Sequence, residues 1–126
     1  MTGQKLFEIS LDLCGLREPD GTVPGDLDDL KQRAIPMINV LLAENEPLAA
    51  RIDKRELSLR SISLLSQEID LPELLVSAVL PYGLARLICL GDDERSAERF
   101  GELYSRARYD MLRAGRAAPG GISEVY

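Results

Sequence analysis

Few side chains in this sequence could carry chemistry, and their spacing argues against an active centre. The 126-residue chain has no histidine. That removes the commonest general base near neutral pH and excludes Ser-His-Asp and Cys-His arrangements in their usual form. Cys14 and Cys89 each stand alone in an apolar stretch, with no Cys-x-x-Cys pair. The expectation is therefore two buried free thiols in a reducing compartment. Asp28-Asp29 and Asp92-Asp93-Glu94 could be read as metal ligands, but acids at helix starts more simply cap free amides and complement the positive helix end. Asp20-Gly21-Thr22-Val23-Pro24-Gly25-Asp26 hints at a calcium loop, yet it lacks the alternating oxygen ligands and the closing glutamate. Gly21 and Gly25 are not followed by Lys-Ser or Lys-Thr, so there is no phosphate-binding loop. The reading is a non-enzymatic protein with no metal, no cofactor and no catalytic residue.

The charged residues offer little as binding groups for nucleic acid. The net charge of -6 disfavours a free-standing nucleic-acid binder, which gains affinity by releasing counterions from phosphates to a basic patch. Arg106 and Arg108 lie about 200° apart around a helix and form no stripe with Arg113. Tyr82 and Tyr104 read as half-buried packing residues with the hydroxyl at the rim. Residues 1–30 hold seven acids against two bases, and residues 99–116 hold five bases against two acids. Such an asymmetry would suit head-to-tail contact between copies, although solvated helix faces explain it as well. The N-terminus opens onto an amphipathic segment rather than a signal-peptide core, and the longest apolar stretch, residues 71–90, is interrupted by Glu73, Pro81, Gly83 and Arg86, as in a buried helix and not a membrane span.

These residues need a scaffold, and the composition favours helices. Aromatics make up 5% of the chain and Trp is absent, so the core must be built on Leu, Ile, Val and Ala. Thr2 can cap a first helix reaching about Leu13, with Leu6, Ile9 and Leu13, joined by Phe7 and Leu11, on its apolar side and Gly15 as the stop. Asp26 is expected to cap a second helix, kinked or briefly broken at Pro36. Asp70-Leu71-Pro72-Glu73 opens a third helix running to Leu90, apolar nearly all round and bent near Pro81 and Gly83. Asp92 or Asp93 caps a fourth, stopped by Gly115. A very short loop joins the third and fourth helices, so these two should pack antiparallel. The fold class is all-α: a four-helix bundle-like protomer, residues 1–114, with a flexible tail at 115–126.

Between the second and third helices lies a long connector. Leu57 and Leu59, then Ile62 and Leu64, alternate with polar residues, as in extended segments or a loose hairpin. Leu57, Leu59, Arg60, Ile62 and Leu64 on the connector, with Arg116, Ile122, Val125 and Tyr126 in the tail, are the candidate protein-interaction residues. Both segments are expected to order only on assembly.

Three stretches bear a resemblance. Ile69-Asp70-Leu71-Pro72-Glu73, then Val79-Leu80-Pro81-Tyr82-Gly83-Leu84-Ala85, then Gly91-Asp92-Asp93 with Phe100 and Tyr104, resemble the "I-x-L-P-E" and "V-x-P-Y-G-x-A" pattern of small neck proteins in tailed bacteriophages. Arg33-Ala34 through Ile38-Asn39 is similar to the same family's "R-A-x-x-x-I-N" helix, from which Pro36 departs. The family is the head–tail connector (adaptor, or head-completion) group, and the likeness spans about two thirds of the chain. The resemblance implies a virion protein of the neck, assembled in the bacterial cytoplasm as a homo-oligomeric ring, commonly a dodecamer, beneath the portal protein. Such a ring offers a docking surface to later neck and tail proteins and continues the DNA channel, whose acidic wall meets passing DNA only passively. The alternative is a small intracellular helical adaptor or regulatory protein, antitoxin-like, that binds a protein partner.

Overall fold

The first helix, α1 (Gly3–Leu13), begins as its sequence predicts. In the computed structural model, which describes residues 1–22 and 25–116, the Thr2 hydroxyl accepts the Lys5 amide at 3.1 Å. Leu6, Phe7 and Leu11 are fully buried on its inner face, each worth about 1.5–3 kcal/mol of transfer free energy. Gly15, at φ +70°, supplies the left-handed residue that ends the helix. Arg17 then folds back to pair with Asp12 at 2.6 Å and Glu8 at 3.3 Å.

A 3-10 turn (Gly25–Leu27) leads into α2 (Asp28–Asp53). Leu27 occupies the cap position without a side-chain bond, so the expected start is shifted by the extra turn; the side chain of Asp26 lies outside the described residues. Neither Pro36 nor Pro47 breaks α2. Each lacks one amide donor, but Ala34, Ile38, Leu41 and Leu42 stay buried on the same face, and that burial outweighs the missing rungs. The helix also absorbs residues 47–53 and ends at Lys54 in the left-handed conformation, φ 54°.

The expected third helix is present in two pieces, α3 (Glu73–Ala78) and α4 (Leu80–Cys89), separated at Val79. The break precedes Pro81, because a proline ring crowds the carbonyl four residues back, and restarting the helix places Pro81 in a first turn where its missing amide costs little. Gly91, at φ +98°, turns the chain, and α5 (Glu94–Arg116) follows. Asp93 caps it, accepting from the Ser96 amide at 3.1 Å and the Ser96 hydroxyl at 2.7 Å. α5 runs through Gly115, where a stop was expected, to Arg116. The tail beyond Arg116 lies outside them.

The protein is all-helical, and no strand occurs among the described residues; a single isolated bridge joins Thr2 to Glu68. α4 is the central element and packs against α1, α2, α3 and α5. Its pairing with α5 is antiparallel: Gly83 faces Tyr104 while Arg86 lies against Gly101. A Cβ at Gly83 would sit 2.8 Å from both Leu41 Cδ2 and Tyr104 Cε1, so only glycine permits this approach of three helices. Of the apolar residues of the resemblance, Ile69, Leu71, Val79, Leu80 and Leu84 belong to this core. No described helix is long and apolar enough to cross a membrane.

The connector, residues 54–72, forms neither strand nor hairpin. It is already fastened to the protomer, contrary to the expectation that it orders only on assembly. The Asn39 amide clasps Ile62 in both directions, donating to its carbonyl at 2.9 Å and accepting its amide at 2.8 Å. Gln67 Oε1 accepts from the Ser63 and Leu64 amides. In turn the connector seals the open end of α1: the Gly3 amide donates to the Gln67 carbonyl at 3.1 Å and the Gln4 amide to the Leu65 carbonyl at 2.7 Å.

Candidate protein-interaction surface

The connector leaves α2 through an ion pair that fixes its course. Arg55 donates twice to the Glu46 carboxylate, at 2.6 and 3.0 Å, and the Ser58 amide donates to the same group. Glu46 is buried, and the Arg55 guanidinium, assisted by the Ser58 amide, holds its carboxyl well below the ordinary value, at about 2. A bidentate, charge-assisted contact of this kind sets direction as well as distance. The main chain is therefore pinned at Arg55 and Ser58, and the side chain between them, Leu57, is turned to solvent.

The candidate residues separate under this geometry. Leu57 is 68% exposed, Leu59 83% and Leu64 61%, so these three present apolar surface that folding has not used. Ile62 does not join them. It is 5% exposed and packs into the core, because the Asn39 clasp draws its backbone inward and its side chain meets Gly3. Arg60 is half-buried and paired with Asp70, which ties it to the connector's own exit. Ile122, Val125 and Tyr126 lie outside the described residues, as does the side chain of Arg116.

Sequence reasoning missed the wall against which Leu57 and Leu59 stand. Pro47 on α2 lines three adjoining depressions. One, of about 740 Å³, is bounded by Ala50, Arg51, Lys54 and Leu57. A second, of about 250 Å³, is bounded by Ala43, Ser58 and Leu59. The third, of about 370 Å³, lies between α2 and α5 and is lined by Leu48, Arg51, Ser105, Arg108, Tyr109 and Leu112. The result is an apolar floor with exposed leucines on one side, Tyr109 on the other, and a rim in which Arg51, Lys54 and Arg108 outnumber the acidic Glu56. Aromatic and arginine side chains at the edge of apolar pockets are the residues that anchor protein interfaces. No local pattern marks Pro47 or Tyr109, since they become neighbours only when α2 and α5 meet.

That meeting is fixed by a polar network. Tyr104 is buried, and its hydroxyl donates to the Glu44 carboxylate and accepts from Asn45 Nδ2 at 2.8 Å. Arg108 Nε donates to Asn45 Oδ1 at 3.0 Å, with its guanidinium 5.6 Å from the Tyr104 ring centre. Burial, reinforced by the bond to Glu44, pushes the Tyr104 hydroxyl upward in pKa. The expected rim position of this hydroxyl is thus corrected: it is an interior link between α2 and α5. Tyr82 is partly buried against the core.

Among the described residues, no three Cys, Asp or Glu side chains converge as a metal site would require. The arrangement offers a shaped apolar surface with positive charge at its edge. No protein-family model, no curated protein and no solved structure matches this chain.

Proposed function

We propose that the chain is a non-enzymatic assembly protein of the phage head–tail connector type, docking onto other protein surfaces through the face around Pro47, Leu57, Leu59 and Tyr109. The observation that carries this reading is the pair Leu57 and Leu59. Two large apolar side chains, 68% and 83% exposed, are held outward on a backbone pinned by Glu46. A monomer gains nothing from holding them there, whereas a partner surface would bury them. The resemblance of the segments around Ile69, Val79 and Gly91 to phage neck proteins supplies the specific assembly. The acid-rich residues 1–30 of one copy and the cationic rim of another supply a complementary pair for a closed ring.

In this reading the protomers join as a ring beneath the portal protein, at the neck of the virion, and later neck or tail proteins dock on the ring. Co-sedimentation of the chain with purified rings of its cognate portal protein, followed by imaging, tests it. A stable complex carrying ring symmetry is the expected outcome. Failure to bind portal rings at any ratio would overturn the proposal.

A further inference from the structure

The two cysteines are separated by most of the sequence, yet their sulfurs lie 3.4 Å apart. Cys14 Sγ also lies 3.7 Å from the Ala85 carbonyl, so the thiols sit side by side between the end of α1 and the end of α4. Sulfurs in a disulfide are about 2.0 Å apart, so closure requires an approach of little more than 1 Å. Both residues are placed to supply it. Cys14 is the C-terminal cap of α1, followed by the left-handed Gly15, and Cys89 is the last residue of α4, followed by extended Leu90. Helix ends adjust at lower cost than helix interiors.

We propose that Cys14 and Cys89 form an oxidative modification site, in which a low-molecular-weight disulfide converts the thiol pair into one cross-link between α1 and α4. Cys14 is half-buried and Cys89 buried, so Cys14 meets the reagent first. Its thiolate attacks one sulfur of the small disulfide, forms a mixed disulfide and expels the other half as a thiolate. The Cys89 thiolate then attacks Cys14 Sγ and expels the second half. Overall the protein gives up two protons and two electrons, and the small disulfide becomes two thiols. Burial, with the neighbouring Cys89, raises the Cys14 thiol in pKa, so the first step is slow at neutral pH and faster as pH rises. The cross-link encloses α2, α3 and α4 in one loop and restricts the unfolded chain.

The test is incubation of the reduced, folded protein with oxidised glutathione at mildly alkaline pH, followed by intact mass and non-reducing peptide mapping. The expected product is monomeric, lighter by two hydrogens, with Cys14 linked to Cys89. Its thermal midpoint should rise by on the order of 10 °C and return when the bond is reduced. Cys89→Ser should stop at a glutathione adduct on Cys14, with no rise in midpoint. The proposal is overturned if the folded protein keeps both thiols free while the same chain oxidises in denaturant. Stable adducts on both cysteines, or cross-links between molecules, would overturn it equally.

Discussion

Glu46 shows how a single buried carboxylate can set the course of a surface segment. Its ionised form is favoured by Arg55 and by the Ser58 amide, so its folded-state pKa, about 2, lies below the ordinary value of 4.5. A depressed carboxyl contributes stability that is fully present above pH 4.5 and is lost as pH falls through 2. Glu46→Gln keeps the volume but loses the charge, and should lower unfolding free energy by roughly 1–3 kcal/mol at neutral pH. The gap between wild type and variant should close on acidification through that window, as followed by urea titration at a series of pH values. A gap independent of pH would show that Glu46 acts through packing and not through its charge. Tyr104 works differently, since its neutral hydroxyl bridges Glu44 and Asn45 and so joins α2 to α5.

Between elements, the tightest constraint is Gly83. A methyl group there would press on Leu41 and Tyr104 at 2.8 Å, so Gly83→Ala must part α4 from α2 or α5. The helix-propensity gain of alanine, about 1 kcal/mol, is smaller than the ~1–3 kcal/mol typical of overpacking. A net loss of stability by thermal or chemical unfolding is expected, and a more stable variant would contradict the close approach. Four helix ends were legible in the sequence because their signals are local: the Thr2 and Asp93 caps and the Gly15 and Gly91 turns act where their residue types predict, whereas the start of α2 and the stop at Gly115 do not. The prolines were less so, since Pro36 and Pro81 carry the same local penalty. Burial of the surrounding α2 face overrides it at Pro36, whereas the helix breaks at Val79 and restarts one residue before Pro81. Ile62 escaped for a related reason: its alternation with Leu57, Leu59 and Leu64 says nothing of Asn39, 23 residues away, which decides the face it takes. The floor formed by Pro47 and Tyr109 was invisible because it exists only once α2 and α5 have met.

For the molecule as a whole, Leu57, Leu59 and Tyr109 place exposed apolar area where α2, α5 and the connector converge. Replacing both leucines, Leu57→Ser with Leu59→Ser, removes no core contact and should leave unfolding free energy within about 0.5 kcal/mol of wild type. The same variant should lose co-sedimentation with portal rings, and full retention of binding would place the docking face elsewhere. One further property follows from how α1 is closed. Its leading amides are satisfied by the Leu65 and Gln67 carbonyls, about sixty residues downstream. During synthesis the leading end of α1 is therefore completed only when the connector, made later, reaches it. Nascent chains arrested before residue 65 should hold α1 only as a frayed, transient turn, and its protection should arrive together with the connector's.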